Sequence, residues 1–283
     1  AALAHALVVV EEVKARMVTA IQAVNKHSFA LHFPLPRVDF LRSAMAKRKV
    51  FASFDAWAFF FQIGLDKRSR ALTATNFAGL VYQYRRCPQG AKQAPAHCQR
   101  VFGEQLIRNE KDFDVWVYID DVLIGADDEA SLLTAIEWVL SQCDKVKVTL
   151  SAPKSEVGLF EMVVLGAMVK HNSVLPKQQS IDALRNFGLP RTVKQLRSFL
   201  GLYNQIGCHV ARQVVLQLSV LQDLISKCNE KSVKQIEWNA EALRVFDLAR
   251  DALANVSALV PFDADRPLFV MTDASDVGIG AVL

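Results

Sequence analysis

Short apolar runs that end at turn-forming or charged residues recur along this sequence, and runs of this kind are typical of β-strands. Five of them predict strands, at residues 1–10, 49–54, 81–86, 163–169 and 268–272. Two shorter runs, residues 115–118 and 122–124, flank Ile119-Asp120-Asp121 and predict a tight hairpin.

Other segments carry apolar residues at helical spacing. They predict three amphipathic helices, with buried faces at Cys98, Val101, Phe102 and Leu106, at Leu132, Leu133, Ile136, Val139, Leu140 and Cys143, and at Val193, Leu196, Phe199, Leu200 and Tyr203. Pro95 suits the first turn of the first helix, Thr192 suits the N-cap of the third, and more helix is expected through Ala254. Because strands and helices do not alternate in βαβ order, the pattern favours an α+β fold over a doubly wound one.

The amino-acid composition excludes several classes of protein. Of the 283 residues 52% are hydrophobic, which excludes a disordered chain, and no run of about 20 apolar residues predicts a membrane span. The five cysteines are scattered without CxxC spacing, so neither a disulfide framework nor a zinc site is supported. A reducing, intracellular setting is therefore expected, in a protein that is not secreted.

Charge is segregated along the chain although the net charge is only +4. Residues 1–110 carry 16 basic and 7 acidic side chains, whereas residues 111–150 carry 3 basic and 9 acidic ones. An acidic block between basic blocks is typical of a site that holds cations and a polyanion side by side. Chance segregation on a solvated surface is the alternative.

The sharpest local feature is Tyr118-Ile119-Asp120-Asp121, in which two adjacent carboxylates follow an apolar strand. Asp55 also ends an apolar strand. Clustered carboxylates repel one another unless they are paired or bind metal, and Mg²⁺ prefers such hard oxygen ligands. Three carboxylates at neighbouring strand ends would suit two-metal phosphoryl transfer. The alternative is a solvated, inert Asp-Asp turn.

Seven collinear segments resemble the reverse transcriptases of LTR retrotransposons and retroviruses, most closely those of the gypsy-like class. The Tyr-x-Asp-Asp box of that family is similar to residues 118–121, and the strand with its first catalytic aspartate is similar to FASFDAWAFFFQI, residues 51–63. The other five segments are VNKHSFALHFPLPRVD (24–39), YQYRRCPQGAKQAPAHCQ (82–99), VVLGAMV (163–169), LPRTVKQLRSFLGLYNQ (189–205) and WNAEALRVFDLARDAL…FVMTDASDVGIGAVL (238–283). The last of these is similar to the opening of an RNase H-like domain.

This resemblance implies a right-hand polymerase fold of fingers, palm and thumb, with an antiparallel palm sheet and a truncated RNase H-like segment. Residues 1–170 would form the fingers and palm, residues 171–235 the thumb and connection, and residues 236–283 an incomplete RNase H-like domain. Asp273 matches the first catalytic carboxylate of that domain. One carboxylate cannot hold two metal ions, so RNase H activity is not expected from this fragment.

The resemblance also assigns the catalytic residues. Asp55, Asp120 and Asp121 would be the metal ligands, assisted by the backbone carbonyl of Ala56. Phe60 matches an aromatic gate that clashes with a ribose 2′-hydroxyl, and ordinary core packing is the alternative for this residue. The implied cofactor is a pair of Mg²⁺ ions, for which Mn²⁺ could substitute.

Three further residues would bind the nucleotide substrate. Gln89 matches a position that lines the nucleotide pocket, and Arg16 resembles a fingers arginine that contacts the incoming triphosphate. Lys154 stands at about the place of a lysine that protonates the leaving pyrophosphate. The alternatives are a solvent-exposed strand residue for Arg16 and a solvated loop residue for Lys154.

The nucleic-acid interface would combine basic side chains with residues that let the duplex come close to the protein. Arg86 and Lys92 would neutralise phosphates, and Tyr118, Leu165 and Gly166 would contact the primer strand and the duplex. The implied partners are an RNA or DNA template–primer duplex and deoxynucleoside triphosphates, with no membrane and with a dimer as an option. The implied setting is a cytoplasmic particle or the nucleus.

The implied function is an RNA-directed DNA polymerase that adds deoxynucleotides to a primer 3′ end. Some positions depart from the family pattern, since Ala20-Ile21-Gln22 stands where the family carries Asp-Tyr-Arg. A decayed or domesticated copy that binds nucleic acid without catalysis is therefore an open alternative. A structural subunit of a heterodimer is another.

Overall fold

The computed structural model of this protein describes residues 4–11, 14–31, 33–227, 235–261, 267, 269–275 and 278–282. The side chains of residues 4–11, 14–18, 227, 273, 275, 278–280 and 282 lie outside the described part of the structure. The chain divides into two compact units, Ala1–His171 and Asn172–Leu283.

A five-stranded antiparallel sheet forms the centre of the first unit. The strands of this unit are β1 (Ala4–Glu11), β2 (Lys14–Thr19), β3 (Val50–Asp55), β4 (Thr75–Phe77), β5 (Leu80–Tyr82), β6 (Arg108–Asn109), β7 (Phe113–Tyr118), β8 (Asp121–Ala126), β9 (Glu156–Leu159), β10 (Glu161–Val164) and β11 (Ala167–Lys170). The central sheet has the order β6-β7-β8-β3-β9, so β8 and β3 lie inside it. The predicted strand at 49–54 and the hairpin around residue 119 are confirmed.

Helices cover both faces of this sheet. They are α1 (Gln22–His27), α2 (Val38–Ala46), α3 (Lys67–Leu72), α4 (Ala94–Leu106) and α5 (Glu129–Val146). Helices α4 and α5 pack apolar residues on alternate side chains of β3, β7 and β8, which confirms two of the predicted amphipathic helices. The buried face of α5 is narrower than predicted, because Leu133 and Leu140 are exposed. Helix α2 covers the other face. The contact is close at Gly125 of β8, where a Cβ atom would lie only 3.3 Å from the Cε of Met45. The strand ends are therefore held in a rigid, close-packed layer.

Two predicted strands of this unit differ from what is observed. Residues 81–86 are not one strand: residues 81–82 belong to β5, whereas Arg86 forms an isolated antiparallel bridge with Gly64. Between them the chain leaves the ladder, and the Tyr84 N–H donates to the Thr73 hydroxyl at 3.0 Å. Residues 163–169 are not one strand but the hairpin β10–β11. Leu165 (φ +46°) and Gly166 (φ +91°) are left-handed, a conformation that ends a strand and reverses the chain.

The second sheet of the first unit has the order β2-β1-β4-β5. Strands β1 and β2 form an antiparallel hairpin, and β1 pairs in parallel with β4. The predicted strand at residues 1–10 corresponds to β1, with residues 1–3 outside the described part of the chain.

The second unit is mainly helical. Its elements are β12 (Ser173–Pro176), α6 (Gln178–Arg185), α7 (Val193–Ile206), α8 (Arg212–Gln217), α9 (Ser219–Lys227), α10 (Ala240–Ala252), β13 (Met271–Ser275) and β14 (Gly278–Val282). Thr192 caps α7 in a reciprocal capping box with Gln195, as the predicted N-cap requires. Of the strand predicted at residues 268–272, only Met271 and Thr272 lie in β13, which pairs with β14. Residues 269 and 270 precede the strand, and Leu268 lies outside the described residues. None of the described helices is both long enough and apolar enough to cross a membrane.

Candidate active site

Three aspartates meet where β3 and β8 pair. Asp55 is the last residue of β3 and lies opposite Asp121, the first residue of β8. The Ala56 N–H donates to the Asp120 backbone carbonyl at 2.9 Å, which ties the turn before β8 to the end of β3. Directly paired residues in an antiparallel ladder have Cα atoms about 4.5–5.5 Å apart. The structure thus brings together the three carboxylates that the sequence singles out.

Crowding of these carboxylates has an electrostatic consequence. Burial, and after it the negative charges of Asp120 and Asp55, raise the pKa of Asp121 to about 6, and the Lys154 ammonium opposes this shift. Lys154 donates from Nζ to both carboxylate oxygens of Asp55 at 2.9 Å. The sequence placed Lys154 near the reaction but did not predict this ion pair.

The donor chemistry of this cluster fits a divalent cation. Carboxylate oxygens are the ligands that Mg²⁺ prefers, and three carboxylates lie together here beside the Lys154 ammonium. Among the described residues, no three His, Cys, Asp or Glu side chains are already arranged as a metal cage. The carbonyl of Ala56, the fourth predicted ligand, belongs to a residue that forms an isolated bridge with Leu150.

A cavity of about 1050 Å³ opens beside Asp55 and Asp120. Much of its wall is aromatic, formed by Trp57, Phe60, Phe61 and Tyr84. Phe60 has two roles in this arrangement, because it lines the cavity and also packs partly against the buried core below β3. Phe60 therefore has the position that either interpretation requires, and its role as a gate stays a prediction.

The cavity also contains two of the predicted nucleotide-binding side chains, Gln89 and Lys154. Tyr118 ends β7 and is paired with Asp121 across the β7–β8 hairpin. The side chain of Arg16, a residue of β2, lies outside the described part of the structure. Its contact with a triphosphate stays a prediction.

Gln62, a residue that no sequence pattern marks, holds together the loops around the cavity. Its side-chain amide donates to the Thr149 carbonyl at 2.9 Å and accepts from the Thr149 N–H at 2.8 Å. Its own carbonyl accepts from Arg86 at 2.8 Å. Gln62 thus links the residues after β3 to the loop that carries Lys154, while Arg86 supports this link.

Lys92 lies beside a second cavity, of about 270 Å³, rather than the one at Asp55. Its backbone N–H donates to the Asn25 side chain at 2.8 Å, and the Asn25 amide donates to the Gly90 carbonyl at 2.8 Å. These bonds fix the Pro-Gln-Gly loop that presents Gln89. The structure therefore gives Lys92 a place in this loop and does not place it in the aspartate cavity.

Leu165 and Gly166 form the turn between β10 and β11, and Arg42 of α2 holds this turn. The Arg42 guanidinium donates to the carbonyl of Val164 at 3.2 Å and also to that of Leu165. The turn is thus fixed to α2, which itself lies on the central sheet.

Comparison with known proteins identifies the class to which this fold and site belong. Residues 8–212 match the family model of reverse transcriptase (RNA-dependent DNA polymerase). Residues 238–283 match the RNase H-like domain found in reverse transcriptase. The chain therefore belongs to the reverse transcriptase family.

Its relatives are polyproteins of LTR retrotransposons, so the resemblance drawn from the sequence is confirmed. The Pol polyprotein of transposon 412 from Drosophila melanogaster is 27% identical over 270 residues, which cover 95% of this chain and 21% of that protein. The transposon Tf2-3 polyprotein of Schizosaccharomyces pombe is 26% identical and covers 95% of this chain, with 20% of its own length matched. The gypsy Pol polyprotein of Drosophila melanogaster is 26% identical over 95% of this chain and 26% of its own length. The chain spans about a fifth to a quarter of these relatives.

Solved structures confirm the polymerase fold. A foamy viral protease–reverse transcriptase solved with double-stranded DNA has a TM-score of 0.85 and 25% identity, and the match covers 96% of this chain and 47% of that one. The foamy viral protein solved with an RNA/DNA hybrid has a TM-score of 0.77 and 24% identity, over 92% and 35% of the two chains.

Proposed function

We propose that this chain is the polymerase part of a retrotransposon polyprotein and acts as an RNA-directed DNA polymerase. The observation that carries the proposal is the pairing of Asp55 with Asp121 at the end of the central sheet, with Asp120 beside them at the cavity. Like charges that are partly buried side by side are costly, so a fold that collects three carboxylates at one edge is suited to bind cations there.

The proposed cofactor is Mg²⁺, or Mn²⁺ in its place, held by Asp55, Asp120 and Asp121 with the carbonyl of Ala56. When bound, the metal would activate the primer hydroxyl and stabilise charge on the phosphates. The chain's own residues would do the rest. Lys154 is proposed to protonate the leaving pyrophosphate, which its position 2.9 Å from Asp55 supports.

The proposed substrates are deoxynucleoside triphosphates. Gln89 and the ring of Phe60 both line the cavity that contains Asp55, so a nucleotide there would meet an amide and a rigid aromatic wall. A ring that cannot move away would clash with an extra 2′-hydroxyl, because its other side packs on the core. Arg16 is proposed to reach the triphosphate.

The proposed partner is an RNA or DNA template–primer duplex. The foamy viral relatives were solved with double-stranded DNA and with an RNA/DNA hybrid, which supports a duplex as the partner here. Arg86, Lys92 and Tyr118 would contact this duplex, together with the turn of Leu165 and Gly166. Residues 1–170 are proposed as fingers and palm, residues 171–235 as thumb and connection, and the setting as intracellular.

Primer extension tests the proposal. An oligo-dT primer on a poly-A template, with dTTP and Mg²⁺, should be extended by the wild-type chain. Asp120→Asn should lower the rate by about 10³-fold, since it removes a charge that a cation needs. Asp144→Asn makes the same chemical change at a side chain that is 83% exposed near the end of α5, and it should extend the primer like the wild type.

Equal extension by the wild type and by Asp120→Asn would eliminate the polymerase proposal. A second candidate function, nucleic-acid binding without catalysis, is favoured by the uncharged Ala20 and Gln22, which are both exposed on either side of the buried Ile21. Salt-sensitive duplex binding without any extension would support this candidate instead.

A further inference from the structure

Gln99 is a polar residue on the apolar face of α4. It is 1% exposed and lies between Cys98 and Phe102, which are buried in the core of the first unit. Its amide nitrogen donates to the Val117 carbonyl at 2.9 Å, and its amide oxygen accepts from the Ile119 N–H at 2.7 Å. Both ends of the buried amide are therefore satisfied by the backbone just before Asp120.

The backbone that Gln99 holds is unusual. Ile119 has φ +56°, a left-handed conformation that a β-branched residue rarely adopts. The β7–β8 ladder ends with the pair of Tyr118 and Asp121, so the Ile119 N–H points out of the ladder and needs another acceptor. Gln99 supplies this acceptor.

The turn is thus fixed from two directions. Gln99 holds Ile119 from the α4 side, and the Ala56 N–H holds the Asp120 carbonyl from the β3 side at 2.9 Å. A neutral amide makes this contact without adding charge beside the three carboxylates. An apolar side chain of the same size would fill the core equally well but would leave the Ile119 N–H unpaired.

We infer that Gln99 is a positioning residue for catalysis, which fixes the backbone turn that presents Asp120 and Asp121. This inference rests on the proposed polymerase function. Gln99 does not touch the nucleotide cavity and acts through the turn alone. Its loss should therefore misplace the carboxylates and lower kcat, while the binding of the nucleotide, set by the cavity walls, should change little.

The test compares Gln99→Met with Val139→Ala. Methionine keeps the length and volume of glutamine but forms neither hydrogen bond. Val139→Ala removes buried volume from the same core on α5 and controls for a general loss of stability. Hydrogen exchange at the Ile119 amide, and kcat and KM for dTTP in primer extension, are measured for both variants and the wild type.

In Gln99→Met, exchange at Ile119 should speed up by about 10-fold or more, kcat should fall by about 10–100-fold, and KM should stay within about 3-fold. Val139→Ala should keep kcat and the Ile119 protection. If Gln99→Met and Val139→Ala have the same kcat, the inference is overturned. If that variant does not fold, an Ile119 amide that exchanges in the wild type as fast as an exposed loop amide would overturn it equally.

Different results would contradict the polymerase function and the role of Gln99. A wild-type chain that extends no primer contradicts the polymerase proposal, whereas the exchange rates at Ile119 still measure whether Gln99 holds the turn. Fast wild-type exchange in an active enzyme contradicts only the role of Gln99.

Discussion

Asp121 lies half-buried beside two other carboxylates, and its protonation should therefore be linked to folding. Its pKa is raised to about 6, first by burial and then by Asp120 and Asp55. An acid whose pKa is raised in the folded state binds its proton more tightly there. Its contribution to stability is complete below its ordinary pKa of about 4 and is lost as the pH rises through about 6.

We expect Asp121→Asn to raise the free energy of unfolding at neutral pH, because asparagine carries no charge to bury. The gain should be about 1–2 kcal/mol above pH ~7, after allowance for the partial exposure of the side chain, and close to zero below pH ~4. Urea unfolding of both proteins across this pH range, without metal, measures the difference in their free energies of unfolding. Asp144→Asn, at an exposed side chain, should have the same free energy of unfolding as the wild type at every pH. A stability difference for Asp121→Asn that does not depend on pH would show that the raised pKa of Asp121 is not its cause.

Phe60 gives a second prediction for a single residue. Phe60→Ala should lower the discrimination against ribonucleotides by about 10–100-fold, because the wall beside the sugar is removed. The ratio of kcat/KM for dTTP and UTP measures this change. Phe61→Ala is the matched control, since Phe61 lines the same cavity but stacks on Tyr84 at 6.3 Å instead of packing on the core. Unchanged discrimination in Phe60→Ala would leave this ring with a packing role only.

Single residues were predictable from the sequence where their type and position both indicate chemistry. Asp55 and Asp121 each stand at the end of an apolar strand, and a carboxylate there is conspicuous. Gln99 and Gln62 were missed because their partners are backbone groups far along the chain. Gln99 did leave a signal: it lies three residues before Phe102 and seven before Leu106, on the buried face of a predicted helix.

At the scale of elements, the β10–β11 hairpin shows why one predicted strand was wrong. Residues 163–169 are apolar throughout apart from Gly166, so their pattern does not separate one strand from two short ones. The break is set by left-handed Leu165 and Gly166 and is held from outside by Arg42. A contact between distant elements thus decides the local conformation.

Arg42 should therefore affect duplex binding through this turn. Arg42→Lys keeps the charge but cannot hold two carbonyls with one planar group, and it should weaken binding of an RNA/DNA hybrid by about 3–10-fold. Fluorescence anisotropy at constant salt measures the affinity. Arg37→Gln, at the exposed N-cap of the same helix, removes a charge without touching the turn and is the control. Binding by Arg42→Lys that equals the wild type would show that the turn does not contact the duplex.

At the scale of the whole molecule, the α+β class followed from the order of strands and helices, but the sheet order did not. β3 lies between β8 and β9, and β1 pairs in parallel with β4 across a long stretch of chain. Such pairings depend on which faces fit together in three dimensions, and the sequence pattern gives only which residues are apolar. The similarity to a known family implied an antiparallel palm sheet, which periodicity alone could not, but it did not give the order of the strands.

The charge distribution gives the last prediction. Residues 1–110 hold 16 basic against 7 acidic side chains, so we expect the chain to bind a duplex largely through its phosphates. If about five phosphates are neutralised, the affinity should fall by roughly 10²–10³-fold between about 50 and 200 mM salt. Anisotropy titrations across this range measure the slope of log affinity against log salt.

Asp120→Asn is the informative control for this slope. It removes a charge of the acidic cluster but no basic residue, so the slope should stay the same while primer extension is lost. Binding and chemistry would then be separate properties of the same chain, one set by its basic segments and the other by the β3–β8 edge. A duplex affinity that hardly changes with salt would mean that the basic residues of the first 110 positions do not face the nucleic acid.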